Sequence, residues 1–197
     1  MISVVIRTIG RNTLGNAIDS AMSEFDKVIV VADDTCLDLS LPKGPTYLKT
    51  GKRYDKYGSK AMLMGALACT TEYFCLLDDD DEFVKGAGAY MTDAVSKSDF
   101  DILIPSIRFN NGMVLCDNPS KGVSYGNVAV PTYRTSVFVR TPISEVYLKC
   151  SNQGIPEDAI DFAHINFLKG MGLHIGWYNK ILYNIRPKLE GTNGRGV

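Results

Sequence analysis

Histidine is nearly absent from this chain: His164 and His174 are the only two among 197 residues. The five cysteines, Cys36, Cys69, Cys75, Cys116 and Cys150, are odd in number, and no two stand in C-x-x-C spacing. Together these shortages exclude a zinc site of the usual ligand spacing. Cys69 and Cys75 lie in apolar contexts and read as reduced core residues, which favours a reducing, cytoplasmic setting. No apolar run approaches the roughly 18–20 residues that a membrane span needs. The opening, Met1 to Arg7, lacks a basic n-region and a cleavage site, so it reads as a first strand and not a signal peptide. Neither sign of charge dominates: the net charge is -1, which removes the electrostatic case for a nucleic-acid or membrane-surface partner. There is no internal repeat, low-complexity tract or clear linker. What is present is an ordinary globular composition, 45% hydrophobic and 22% charged, long enough for one domain with a sizeable core.

The order of elements follows from hydrophobic periodicity. Ser3 to Thr8 reads as a strand. Leu14, Ala17, Ile18, Ala21, Met22 and Phe25 then recur at helical spacing, with Asn12 or Thr13 placed to cap. Lys27 to Ala32 is a second strand ending at Asp33-Asp34, so the chain opens with a right-handed parallel βαβ unit. A loop over 35–45, with an edge strand possible at Leu37, Leu39 and Leu41, leads to a short strand, Thr46 to Lys49. A helix from Ser59 is apolar almost all round, which predicts deep burial. Tyr73 to Leu77 is a buried strand, and Gly86 to Ser96 a weaker helix. Ile102 to Pro105 reads as a strand. Ile107 to Phe109 and Met113 to Leu115 flank Asn110-Asn111-Gly112, a hairpin signal because Asn-Gly suits positive φ. Residues 117–127 are loop-rich, Val128 to Arg140 is strand-like with Pro131 as an interruption, and Ser144 to Lys149 is helical. Pro156 opens a helix that runs to about Lys169 and stops at Gly170 or Gly172. His174 to Tyr178 and Ile181 to Ile185 close the domain as two strands. The fold class is therefore α/β: one Rossmann-like domain over 1–190 with a mostly parallel central sheet, helices on both faces and a small β-hairpin. A glycine-rich, flexible tail follows over 191–197.

Four consecutive aspartates, Asp78 to Asp81, stand behind the apolar strand. In open α/β sheets ligands bind outside the carboxyl ends of strands. Crowded carboxylates repel one another and raise each other's pKa, a conflict that a hard divalent cation bridging to phosphate relieves. A second acidic group, Glu157-Asp158, follows Pro156 at a helix start, where acids also complement the helix dipole. A dinucleotide fold is disfavoured because the loop after the first strand offers Gly10 where three glycines are needed. Gly58-Ser59-Lys60 does not meet the order of a phosphate loop. His164 lies about 240° round the helix from Asp158 at ~100° per residue, so it reads as structural.

Three blocks resemble the family 2 glycosyltransferases of GT-A fold. They are Ser3 to Thr8 with Val28 to Asp34; Glu72 to Asp81, which matches the strand into a D-x-D motif; and Pro156-Glu157-Asp158 with the later Tyr183-Asn184-Ile185-Arg186. The resemblance implies metal-dependent transfer of a sugar from a UDP-sugar to an acceptor hydroxyl (saccharide, lipid-linked or protein), with inversion. It implies that Thr8 and Arg11 line the nucleotide pocket and that Asp33 or Asp34 meets the uracil. Lys60 would approach the diphosphate. Asp78 and Asp79 would contact the ribose or the metal's surroundings, and Asp80 would bind Mn2+ or Mg2+. Asp158 would be the general base, with Glu157 beside the acceptor. The chain departs from the family pattern in four places. Arg7 replaces a proline after the first strand, and Lys60-Ala61-Met62-Leu63 replaces Ala-Arg-Asn. No histidine follows Tyr178, and no Q-x-x-R-W motif occurs. Two other readings of the acids are a phosphatase or phosphotransferase with Asp78 as nucleophile, and a non-catalytic nucleotide-sugar or carbohydrate binder.

Overall fold

A computed structural model describes residues 1–33, 42–51, 59–97, 99–115, 132–140, 165 and 167–185. The opening unit is β1 (Ile2–Thr8), α1 (Leu14–Glu24) and β2 (Lys27–Ala32), followed by β3 (Thr46–Lys49). Next come α2 (Ser59–Ala68), β4 (Tyr73–Asp78), β5 (Glu82–Phe83) and α3 (Ala87–Lys97). The chain continues through β6 (Ile102–Phe109), β7 (Val114–Leu115), β8 (Thr132–Arg134), α4 (Thr135–Arg140) and β9 (Ile175–Ile185). The strands form one sheet in the order β3-β2-β1-β4-β8-β6-β9-β5, with β7 paired to β6. Pairings among β3, β2, β1 and β4 are parallel, as is β6 with β9; β8, β5 and β7 pair antiparallel to their neighbours. This is a mostly parallel α/β sheet.

Alternation along the central strands builds two cores. Val4 and Ile6 of β1, Val28 and Val30 of β2, and Cys75 and Leu77 of β4 pack with Ile18 and Ala21 of α1 and Met91 of α3. Val5, Ile29, Val31, Phe74 and Leu76, on the other face, pack with Met62 and Ala66 of α2 and Phe138 of α4. Strands buried on both faces read as continuous apolar runs, which is why β1, β2 and β4 were plain in the sequence. The chain goes outward from β1 to β2 and β3, then returns over them to β4. Right-handed crossovers in opposite directions put α1 and α2 on opposite faces.

Several sequence expectations need correction. Strand and hairpin around Pro105 are one continuous strand, β6, and the two closing strands are one, β9. Their parallel register slips between Pro105 and Ser106 and again before Ile107. A bulge there accommodates a residue that has no N–H to give. The hairpin itself forms as expected: Ile107 and Arg108 pair with Leu115 and Val114, and Gly112 takes φ 84° in the turn. The strand-like stretch to Arg140 is a strand only over Thr132–Arg134 and then turns helical. Phe138 drives that change, packing edge-on to Phe74 at 4.8 Å and against Tyr133 at 4.8 Å, so tertiary contact overrides the β-propensity of Val137-Phe138-Val139. Helix α2 is less buried than its composition predicts, with Leu67 63% exposed. Thr13 occupies the N-cap position of α1 without a side-chain bond to the helix. The helix expected to end near Gly170 is helical at Ile165 and over 167–170 and turns at Met171-Gly172. The edge strand at 37–41, the loop at 117–127, the helix at 144–149, the start of the helix at Pro156 and the tail at 191–197 lie outside the described residues.

One tie fixes α3 against α1. The Glu24 carboxylate accepts the backbone N–H of Gly86 at 2.8 Å and of Gly88 at 3.1 Å, satisfying donors at a helix start that has no acid of its own. A Cβ built on Gly88 would overlap the Glu24 carbonyl oxygen. Gly88→Ala is therefore expected to destabilise the fold by about 1–3 kcal/mol, although alanine favours a helix over glycine by ~1 kcal/mol. Urea unfolding of the variant beside the wild type measures it, and a gain in stability would remove the close contact from the account.

Candidate active site

The sheet order reverses between β1, whose crossover runs toward β2, and β4 on its other side. The crevice beyond the carboxyl ends of such strands is the default ligand site of this architecture. Thr8 ends β1, Asp33 follows β2, and Asp78 ends β4. The topology thus gathers three sequence-separated groups at one rim.

A tight turn arranges the four aspartates. The Asp81 N–H donates to the Asp78 carbonyl at 3.1 Å, so Asp81 folds back toward Asp78. Asp79 and Asp81 are buried, whereas Asp78 and Asp80 are partly open. Asp78, Asp80 and Asp81 each offer a carboxylate oxygen, and these oxygens lie within 4.8 Å of one another. Three hard anionic oxygens at that spacing suit a divalent cation of the Mg2+ or Mn2+ type.

Asp79 points the other way. One of its oxygens accepts the Thr8 hydroxyl at 2.6 Å and the Ile9 N–H at 3.2 Å. The other pairs with the Arg11 guanidinium, whose Nη1 also stands 3.8 Å from Asp80. Burial pulls the Arg11 pKa down, but the charge of Asp79, its hydrogen bond, and the charges of Asp80 and Asp78 outweigh this and raise it. Thr8 in turn accepts the Gly10 N–H at 2.9 Å. The loop that leads into α1 is therefore fastened to the acidic turn through a buried carboxylate.

Asp78 has a different cation beside it. Arg7 and Asp78 are register partners on β1 and β4. Arg7 Nε donates to one oxygen of Asp78, and Nη2 donates to the other at 3.0 Å. Arg7 Nη1 meets the Met62 sulfur at 3.2 Å, which also places the first turn of α2 at this rim. Lys60, two residues earlier in that turn, is exposed. Asp33 is buried; its N–H donates to the Thr8 carbonyl at 2.8 Å, and its carboxylate accepts the Thr50 hydroxyl at 3.3 Å. Asp34, Glu157 and Asp158 lie outside the described residues.

Sequence reasoning counted Asp81 in the acidic cluster without giving it a role, and passed over Arg7 as a site residue. The D-x-D spacing selects Asp78 and Asp80, and the turn that returns Asp81 to the cluster leaves no mark on spacing. Arg7 was visible only as a departure from proline; its pairing with Asp78 depends on strand register. A cavity of about 390 Å³ lined by Thr71, Glu72, Thr135 and Ser136 opens at the other end of β4, roughly 20 Å away at the rise of a strand. Burial raises the Cys69 thiol beside it to about 11, so that thiol stays protonated near neutrality. Among the described residues no helix is long and apolar enough to cross a membrane.

Solved structures share this fold. TarS of S. aureus, residues 1–349, superposes with a TM-score of 0.66 at 17% identity, covering 93% of this chain and 60% of that one. The same protein in complex with UDP-GlcNAc gives 0.64 at 16% identity over 98% of this chain and 60% of that one; in complex with UDP it gives 0.64 at 16% over 93% and 59%. The chain thus has the GT-A fold and spans about 60% of the length of these TarS chains. No curated protein matches it. The sequence profile of Glycosyl transferase family 2 matches residues 3–151, and the chain belongs to that family.

Proposed function

We propose that the protein transfers a sugar from a UDP-sugar to an acceptor hydroxyl with the help of a divalent cation, inverting the anomeric centre. The observation that carries this reading is the convergence of Asp78, Asp80 and Asp81 within 4.8 Å at the reversal point of the sheet. Asp33 at the end of β2 supports uracil recognition, since a carboxylate accepts the base N3–H. The structural neighbours that hold UDP and UDP-GlcNAc support a uridine donor.

In the proposed reaction the acceptor oxygen forms a bond to the anomeric carbon as the bond from that carbon to the diphosphate breaks. The transition state carries oxocarbenium character, and negative charge grows on the leaving group. A bound Mn2+ or Mg2+ would neutralise that charge as a Lewis acid; Asp80 and Asp81, with Asp78 beside them, would hold it. Asp158, placed by resemblance, takes the acceptor proton, and Glu157 neighbours it at the acceptor. Thr8 and Arg11 shape the nucleotide side of the crevice through Asp79, and Lys60 approaches the diphosphate from α2. A phosphotransferase using Asp78 as nucleophile fits less well, because both Asp78 oxygens accept from Arg7 and a doubly hydrogen-bonded carboxylate attacks poorly.

The direct test is thermal stability with nucleotides. A ligand at a hundredfold its dissociation constant stabilises the folded state by about 2.7 kcal/mol. UDP with Mn2+ is expected to raise the melting temperature more than UDP with EDTA, and more than ADP or GDP with Mn2+. Equal shifts for all three diphosphates would remove the uridine assignment. Binding without transfer or slow donor hydrolysis would leave a carbohydrate- or nucleotide-sugar-binding protein instead.

A further inference from the structure

We infer that Arg7 is a resident cation of the acidic site, which keeps Asp78 out of the metal's coordination sphere and leaves the divalent ion to Asp80 and Asp81. The inference deepens the proposed function, resting on it only for the presence of a divalent ion at this rim.

Arg7 does not merely stand near the cluster. Adjacent parallel strands in register bring its Cα opposite that of Asp78, so the pairing is set by the backbone. The guanidinium engages both carboxylate oxygens, the forked geometry that makes arginine–carboxylate pairs strong and specific. Its remaining terminal nitrogen lies on the Met62 sulfur, so the group is held by β4 on one side and α2 on the other. Its side chain is only 17% exposed, which limits the screening of its charge by water.

A divalent ion that recruited Asp78 would have to share its oxygens with these two bonds, which weakens both, and would approach a fixed positive charge. Asp80 and Asp81 leave the Arg7–Asp78 pair untouched, and the cation beside Asp80, Arg11, stands 3.8 Å off and is paired with Asp79. The arginine therefore lowers the site's affinity for the free ion and shifts its position toward the turn. A lysine could supply the charge but not the two-point grip.

The experiment is a titration of the protein with Mn2+ alone, read by the loss of the free-ion signal in electron paramagnetic resonance. Arg7→Gln is expected to bind Mn2+ about tenfold or more tightly than the wild type, because a carboxylate is released and a nearby positive charge removed. Arg7→Lys is expected to fall between the two. Equal or weaker binding by Arg7→Gln overturns the inference, and so does an Arg7→Lys variant indistinguishable from the wild type. Should Arg7→Gln fail to fold, anomalous diffraction from wild-type crystals soaked in Mn2+ decides. The ion is expected on Asp80 and Asp81 with Arg7 still on Asp78; an ion bound by either Asp78 oxygen overturns it. Nucleotide is absent from these measurements. A failure of uridine binding would thus leave the cation result standing, and a failure here would leave the donor assignment intact.

Discussion

Asp79→Ala is expected to be the most destabilising single change at the site, by about 3–5 kcal/mol, the range for stripping a buried ion pair of one partner. The carboxylate is 1% exposed and accepts from the Thr8 hydroxyl, the Ile9 N–H and Arg11. Removing it leaves two donors and a guanidinium without their acceptor. Arg11 keeps 33% of its side chain in contact with solvent, so part of its charge is recovered by water and the loss sits nearer the lower bound. For a chain of this size the melting temperature would fall by roughly 10 °C. Asp93→Ala is the control, since it removes an exposed carboxylate paired with Lys97 one helical turn away; such surface pairs contribute little. A scan that found Asp79→Ala melting with the wild type would show that the loop into α1 does not depend on this carboxylate. The variant should also lose UDP binding in proportion to how far that loop shifts, because Asp79 acts on the crevice by positioning Thr8 and Arg11.

The same residues show what a sequence can and cannot reveal. Central strands buried on both faces, such as Val28 to Ala32 and Tyr73 to Leu77, announce themselves because the core demands apolar residues at every position. Elements decided by a few long-range contacts do not. Phe138 turns a β-like stretch into a helix by packing on Phe74, a partner 64 residues away in sequence. The closing strand, β9, reads as two because Asn179 and Lys180 interrupt its pattern, and the sheet absorbs them as a register shift beside Pro105. At the site, four adjacent acids give away the chemistry, yet their division of labour rests on geometry. Asp79 turns inward to Thr8 and Arg11, Asp78 is held by Arg7, and Asp81 comes back through the turn to join Asp80. The sequence set Asp80 apart as the metal ligand only by resemblance and gave Asp78 and Asp79 one shared role. The strand register that sets Arg7 opposite Asp78 and the bonds that turn Asp79 to Thr8 and Arg11 separate them.

Binding and turnover should separate between two further variants, and that separation tests the proposed mechanism most sharply. Asp80→Asn is expected to lower transfer by roughly 10²–10³-fold, the loss typical when one stabiliser of developing negative charge is removed. It should also abolish the Mn2+-dependent part of the UDP-induced thermal shift. Its own melting temperature should stay close to the wild type, because Asp80 is partly exposed and asparagine keeps its shape. Asp158→Asn is expected to keep the full UDP and Mn2+ shift while transfer falls by about 10²–10⁴-fold, the contribution of a positioned general base. In the proposed mechanism the two carboxylates then report different steps: one would hold the cation that neutralises the departing diphosphate, and the other would remove the acceptor's proton. An Asp80→Asn enzyme that transfers at the wild-type rate would take the cation out of the reaction. An Asp158→Asn enzyme with unchanged transfer would place the base elsewhere on the acceptor side, and one that lost UDP binding would move Asp158 to the donor side of the crevice.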